Sequence, residues 1–275
     1  MLEPSSRPGR LAAAFAKYAA CAVQAARNRL AYPKDLAGRA IFLFLILFVY
    51  GQVWQKALGA RGSFGGFSRA QLIWYMAFTE GIGLSFPRLQ GVVNEHVRTG
   101  DIAYRLNRPL SYLGGLLGEY LGETAFNLLA TLGAAVLAAR VLAGGPPGAD
   151  LGSLAPLCLI VPLGALLSFF INAGLALTAF FVEDNGPFFW VYQKIHFVLG
   201  GLFLPIEVYP RALRAAAGFL PFQLIYAAAA RLAVRFDRAM LVRTLTAQAA
   251  WLVILIPLVW AIYHRGVRKL NVNGG

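Results

Sequence analysis

Residues 151–182 read LGSLAPLCLIVPLGALLSFFINAGLALTAFFV and contain no charged residue. An α-helix needs about 20 predominantly apolar residues to cross the hydrocarbon core of a bilayer, so this stretch is long enough to cross. The whole chain of 275 residues is similar in character, because 59% of it is hydrophobic and only 13% is charged. Soluble domains average about 25% charged residues. The sequence therefore predicts an all-α membrane protein rather than a soluble enzyme.

Five further apolar stretches bring the predicted number of transmembrane helices to six. They cover residues 40–55, 70–87, 124–139, 186–205 and 244–263. The third of the six spans is predicted to begin nearer Ser111. Residues 215–230 are too short for a seventh span and are interrupted by Pro221. Because irregular backbone at membrane depth must be surrounded by protein, we expect two short re-entrant helices there, 211–220 and 222–234.

Basic residues indicate the orientation. The net charge of +13 comes mainly from Lys and Arg between apolar stretches, which membrane topology explains without a nucleic-acid partner. With both termini cytoplasmic, fourteen basic residues lie inside and ten outside, and seven of the fourteen precede the first span. We therefore predict a cytoplasmic amphipathic segment (1–38) that forms an interfacial helix, a transmembrane domain (39–265) and a cytoplasmic tail (266–275).

Motifs that bind nucleotides or metals are missing from the sequence. No lysine follows a glycine, so the chain has no phosphate-binding loop of the GxxxxGK[ST] type. Cys21, Cys158 and the three histidines are scattered without metal-ligand spacing, so we predict no metal site. Ser85 and Ser168 are the serines of the spans, and no spacing pairs either with His196. Intramembrane hydrolysis is therefore a weak alternative.

Ionisable side chains within the spans are candidate pathway residues, because burying a charge in lipid costs about 2.5 to 3.5 kcal/mol on insertion scales. These residues are Glu80, Glu119, Glu123 and Lys194. The alternatives are that Glu80 and Lys194 extend to an interface, and that Arg105 or Arg108 neutralises the other two carboxylates.

Glycines recur every four residues at the start of the third span. Gly114, Gly118 and Gly122 leave a groove in which another helix can approach closely. The groove fits equally well packing within the chain and a contact with a second chain.

The longest predicted cytoplasmic connection, residues 88–108, reads RLQGVVNEHVRTGDIAYRLNR. A short helix over 92–98 would end at Gly100, and Asp101 would be the N-cap of the next helix. This is more structure than a plain connection needs, and we interpret it as a docking surface.

Two motifs make the sequence recognisable. GDIAYRLNRPLSYL at 100–113 resembles the L-x-R-P-L segment of ABC-2 type permeases, the membrane subunits of one class of ATP-driven exporters. GLFLPIEVYPRALRAAAGFLPFQLIYAAAARL at 201–232 is similar to the family's second landmark, between its fifth and sixth helices. RGVRKLNVNGG at 265–275 also resembles family C-termini. The resemblance covers the chain from Arg39 onward and is closest to a subfamily encoded as paired permeases.

The resemblance implies six transmembrane helices with an N-terminal interfacial helix, a cytoplasmic coupling helix and re-entrant helices before the last span. It also implies a second permease chain, identical or homologous, and separate ATPase subunits that bind ATP and Mg²⁺ and contact the coupling helices in a prokaryotic plasma membrane. The coupling helix and its polar contacts would be Val92, Val93, Asn94, Glu95, His96, Val97, Arg98, Asp101, Arg105 and Arg108. The re-entrant gate would comprise Gly200, Pro205, Glu207, Pro210, Pro221 and Phe222.

Two functions from different classes follow. The first is an export permease without an ATPase site of its own, which moves an amphiphilic, lipid-like, glycan or drug cargo. The alternative is an ion-driven secondary transporter that acts alone and uses Glu80, Lys194 and the pair Glu119 and Glu123 as ion sites. Lys194 departs from the family motif.

Overall fold

Helices make up most of the structure, because backbone groups in apolar surroundings must be hydrogen-bonded within their own segment. The computed structural model describes residues 7–59, 62–146, 154–182 and 184–273. Its α-helices are α1 (Arg7–Arg29), α2 (Pro33–Leu58), α3 (Arg69–Gly83), α4 (Leu89–Arg98), α5 (Asp101–Leu106), α6 (Tyr112–Ala143), α7 (Leu157–Ala176), α8 (Gly186–Leu199), α9 (Arg211–Phe219), α10 (Ala227–Val234) and α11 (Arg238–Asn273).

Other regular structure in these residues is short. Strands β1 (Ser63–Phe64) and β2 (Phe67–Ser68) form an antiparallel hairpin between α2 and α3. Three 3₁₀ turns follow α7, precede α9 and separate α9 from α10, at Leu177–Phe180, Ile206–Val208 and Pro221–Leu224.

Among the described residues, four helices are long and apolar enough to cross a membrane. They are α2, α6, α7 with its 3₁₀ extension, and α11 up to Leu270. Helices α3 and α8 have 15 and 14 residues, fewer than the about 20 that a crossing needs. The structure thus confirms an all-α protein with several candidate spans, and the count of six stays a prediction. Ser111 is the N-cap of α6, as expected for the third span.

Helix α3 lies at the centre of the described helices. Ser68 and Gln71 form a capping box at its start. Ten of the eleven residues from Leu72 to Ile82 are buried. It packs against α2, α6 and α10. Arg69 donates to the carbonyl of Gly51, and Arg39 donates to that of Leu84, so α2 and α3 run antiparallel.

Helix α1 packs lengthwise along the first half of α6. Its Tyr18 ring lies against Gly114, its Cys21 lies near Gly118, and a Cβ added at Gly122 would overlap the α1 backbone. The glycine groove is therefore occupied by this chain's own helix. Beyond the glycines, Arg29 at the end of α1 pairs with Glu123 of α6 at 3.1 Å. Its guanidinium also donates to the side chain of Asn127 at 3.2 Å. Because later residues of α1 contact later residues of α6, the two helices run parallel.

Two short helices, α9 and α10, lie in the region predicted for them, but α10 begins at Ala227 rather than at 222, because a 3₁₀ turn precedes it. Their re-entrant position in a membrane stays a prediction. The 3₁₀ turn that begins at Pro221 joins them, and an ion pair of 2.5 Å between Glu207 and Arg231 closes the other end of this hairpin. At the opposite end of the molecule, Gly100 ends α4 with a φ of 76°, as expected. The prediction for Asp101 was wrong: it is the first residue of α5, and Gly100 occupies the N-cap.

Both predicted flanking segments extend past the residues that the structure describes. Residues 1–6 of the N-terminal segment and 274–275 of the tail lie outside it. Helix α11 continues through 266–273, so the described part of the predicted tail is helical.

We predict that Gly122→Leu displaces α1. The added side chain would collide with the α1 backbone, whereas Gly133 has open space around it. Overpacking of this kind costs about 1–3 kcal/mol. In a Cys158→Ser background, Gly122→Leu should lower thermal stability and speed maleimide labelling of Cys21, and Gly133→Leu should do neither. Equal labelling rates in the two variants would contradict this packing.

Candidate functional site

Helix α4 has an inner face that holds it against the rest of the chain. Leu89, Val93 and His96 are buried, and the helix packs on α7 and on the 3₁₀ turn that follows it. His96 Nδ1 lies 2.9 Å from the hydroxyl of Tyr112 at the start of α6. In addition, Asn94 donates to the side-chain oxygen of Asn185 at 2.9 Å. These two hydrogen bonds link α4 to α6 and to the start of α8.

The opposite side of α4 is exposed and continues onto α5. We call this surface, comprising Val92, Glu95, Arg98 and Tyr104, the outer face. Arg98 pairs with Glu95 at 3.0 Å, and their side chains are 81% and 56% exposed. Val92 and Tyr104 are 40% and 63% exposed, so the outer face combines apolar, aromatic and charged side chains.

Charged side chains in α5 and just after it stabilise the conformation of residues 101–108. Arg105 pairs with Asp101 at 2.5 Å, and the hydrogen bond from Arg105 lowers the pKa of the Asp101 carboxyl below its usual range. The guanidinium of Arg108 lies 4.6 Å from the centre of the Tyr104 ring. Val97 is partly buried and packs on the hydrophobic core.

The residues predicted for coupling therefore divide between the two faces. Val92, Glu95 and Arg98 are exposed, while Val93, Asn94, His96 and Val97 face the chain. Sequence reasoning missed Tyr104, Tyr112 and Asn185. Only the first of these had a local signal, an aromatic residue next to a predicted docking helix.

A cavity of about 550 Å³ lies between α3, α4, α7 and α8. Its lining comprises Glu80, Gly83, Leu84, Phe86, Pro87, Arg88, Leu89, Gln90, Gly91, Asn94, Ser168, Asn172, Phe189, Tyr192, Gln193, His196, Phe197, Leu202 and Tyr226. The volume falls within the usual range for small-molecule sites. The α4 residues in this wall belong to the same helix that carries the outer face.

Buried polar atoms without a hydrogen-bond partner among the described residues collect at this cavity. They include Glu80 Oε1, Asn94 Oδ1 and His196 Nε2. Glu80 is 5% exposed, and no ion pair among the described residues includes it. Native proteins rarely leave buried polar atoms unpaired, so the cluster indicates a site where a ligand or water supplies the partners.

None of the six predicted gate residues lines this cavity, but Phe222 and Gly200 lie close to residues that do, and Glu207 lines a separate cavity. Phe222, in the turn between α9 and α10, has its ring centre 5.6 Å from that of His196. Tyr226 lies 5.1 Å from the same imidazole. Gly200 ends α8, and a Cβ there would lie 2.8 Å from the Tyr226 hydroxyl. Pro205, Pro210 and Pro221 stand at the starts of the 3₁₀ turns and of α9.

The four predicted pathway residues do not come together. Only Glu80 lines the cavity, and the Lys194 ammonium lies on the outer side of α8, 5.7 Å from the centre of the Trp190 ring. The expectation that Arg105 or Arg108 neutralises Glu123 was wrong, because Arg29 approaches its carboxylate from α1. Glu119 lines a separate cavity of about 80 Å³ with Arg105 and Arg108.

The two serines have structural partners. Ser85 donates to the carbonyl of Ile82 at 2.6 Å, and Ser168 accepts from the Tyr120 hydroxyl at 3.0 Å. Among the described residues neither is hydrogen-bonded to a histidine, so the geometry gives no support to a serine nucleophile.

A comparison with known families decides the relationship. The sequence model described as ABC-2 family transporter protein matches residues 40–274, which is most of the chain. The chain belongs to this family. The resemblance to ABC-2 type permeases is thereby confirmed. The protein is a multi-pass membrane subunit of an ABC transporter, and membership of this family implies an ABC ATPase as its partner. No curated protein matches the chain.

We predict that acid loosens α4. Burial, followed by the nearby Arg105, lowers the pKa of His96 below its ordinary value of about 6.5. The folded state therefore favours neutral imidazole, and the contribution of His96 to stability is present above about pH 6.5 and lost as the pH falls through the lower folded pKa. Hydrogen exchange in residues 89–98, corrected for intrinsic rates, should be faster at about pH 5.5 than at about pH 7.5. His96→Gln should flatten this dependence, and an equal dependence in both proteins would refute it.

Proposed function

We propose that the chain is one permease subunit of an ATP-driven exporter. A separate ATPase subunit binds ATP and Mg²⁺ and docks on the outer face of α4 and α5. The chain itself binds cargo and transmits motion without breaking bonds. In this proposal both termini are cytoplasmic, the membrane is a prokaryotic plasma membrane, and a second permease chain completes the transporter.

The observation that carries this proposal is that α4 belongs to two surfaces at once. Val92, Glu95 and Arg98 are exposed on one side. Gln90 and Asn94 line the cavity on the other. Because this helix has only ten residues and is packed on the chain along its buried side, it moves as a rigid body. A displacement of its exposed side therefore also displaces the cavity wall. An ATPase that pulls the outer face would therefore change the shape of the cavity.

In this proposal α3 and α8 also cross the membrane, which gives six crossings. Each helix lies within a predicted stretch, 70–87 or 186–205, and the residues that follow it there, 84–87 and 200–204, are turns and bends. Phe15 in α1 is 76% exposed, and Leu30 just after that helix is 66% exposed. Their exposure supports an interfacial position for α1, with apolar side chains directed into lipid.

An exposed apolar face of α8 is available to lipid or to a second permease chain. Side chains that are two-fifths exposed or more and lie outside the cavity lining include Phe188, Trp190, Val191, Ile195 and Val198. In a paired permease, lipid or the second chain would cover this face.

Family membership favours this function over an ion-driven transporter acting alone. The structure also separates the ion sites that the alternative requires. Glu123 is paired with Arg29, and Lys194 lies outside the cavity, so a relay through these residues has no continuous path.

We predict that charge reversal on the outer face weakens ATPase binding. The tagged chain, extracted gently from its own host, should co-purify with an ATP-binding subunit. Combining Val92→Glu with Arg98→Glu should reduce the recovered ATPase at least about tenfold, because misplaced charges at an interface cost several kcal/mol.

Lys56→Glu is the matched control, since Lys56 is exposed at the end of α2 that lies away from α4. It should leave recovery unchanged, and all variants should elute as folded protein. Full recovery with the double variant would exclude the outer face as the docking site. Absence of any ATP-binding subunit with the unaltered chain would contradict the proposed function.

A further inference from the structure

We propose that the cavity binds an organic cation, with Glu80 as the counter-charge and the aromatic side chains around it as the apolar wall. The cargo would then be an amphiphile that carries an ammonium or guanidinium group on an apolar body. This inference rests on the proposed export function and names its substrate class.

Glu80 places a buried carboxyl group, without a partner among the described residues, in the cavity wall. The side chain is buried, its Oε1 has no hydrogen-bond partner among the described residues, and it belongs to none of the described ion pairs. The basic side chain in the cavity lining is Arg88, which is exposed to solvent and therefore screened. A buried carboxylate without a partner is strongly destabilising, and a bound cation would supply that partner.

Aromatic side chains make up much of the apolar wall of the cavity. Phe86, Phe189, Tyr192, Phe197 and Tyr226 line the same cavity as Glu80. Cations bind favourably over the faces of aromatic rings, and more strongly when the site excludes water. A carboxylate within an aromatic enclosure combines the two features that recognise an organic cation.

Two hydrogen-bond acceptors in the cavity wall have no partner among the described residues. Asn94 donates its amide to Asn185, which leaves its side-chain oxygen unpaired in the cavity. Glu80 Oε1 and Asn94 Oδ1 are both acceptors, whereas His196 Nε2, also without a partner among the described residues, donates or accepts according to its tautomer. The two acceptors suit a ligand with N–H donors and would repel a phosphate or carboxylate group.

Binding to the full-length chain in lipid nanodiscs tests this inference. The probe is radiolabelled tetraphenylphosphonium, with neutral triphenylphosphine oxide as the competitor that lacks the charge. We expect saturable binding that the neutral compound does not displace. Glu80→Gln should weaken binding at least about tenfold, because the variant removes the negative charge that attracts the cation. Glu119→Gln, which alters a carboxylate outside the cavity, should leave it unchanged.

A measurement on the unaltered protein keeps the test valid if Glu80→Gln fails to fold. Dicyclohexylcarbodiimide modifies carboxyl groups in apolar surroundings, and tetraphenylphosphonium should protect Glu80 from it, as read by peptide mass spectrometry. Modification of Glu119 should be the same with and without the cation.

Three results would overturn the inference: no saturable binding to the unaltered chain, unchanged affinity in folded Glu80→Gln, or no protection of Glu80. These assays need no ATPase. Their failure would therefore leave the proposed export function standing, and failure to recover an ATPase would leave a positive binding result intact.

Discussion

Carbonyl groups freed where helices stop within apolar surroundings must be hydrogen-bonded by the protein itself, and the rest of this structure depends on how that is done. Tyr75 and Thr79 of α3 donate to the carbonyls of Gly201 and Leu202, where the chain leaves α8. Gln248 of α11 donates to a carbonyl in the turn between α9 and α10 and to another in α7. Each such carbonyl left unpaired would cost about 1–3 kcal/mol. Buried donors on α3 and α11 therefore stabilise the breaks between these helices.

The same arrangement places the functional surfaces. Because α3 and α8 end close to one another, the space beneath their ends is left as a cavity rather than filled by a continuing helix. Glu80, next to Thr79 on α3, lines it, and so does His196 near the end of α8. Helix α4 closes the cavity on one side and is tied to its neighbours by the hydrogen bonds of His96 and Asn94. Docking surface and cavity thus share one short helix.

Sequence reasoning succeeded where local physics decides the outcome. Charge-free stretches predicted α2, α6, α7 and α11, because bilayer thickness fixes their length, and Pro221 predicted the join between α9 and α10. It failed where residues far apart in the chain meet. The contact of Arg29 with α6 joins positions 98 apart, and no local spacing indicates it. Tyr192 and His196 are one turn apart on α8, a pattern that was visible but became meaningful only with the cavity around it.

Coupling of the docked ATPase to the cavity through α4 is tested most directly by cysteine labelling in the assembled transporter. Gln193, in the cavity wall, is changed to Cys in a background with Cys21→Ser and Cys158→Ser. The measured quantity is the rate at which a membrane-impermeant maleimide labels this cysteine. Lys194→Cys, the next residue and outside the cavity lining, is the control. We expect ATP with vanadate to change the labelling rate at position 193 at least about threefold and to leave that at position 194 unaffected, since motion of α4 reshapes only the cavity. Identical rates at position 193 with and without nucleotide would contradict it.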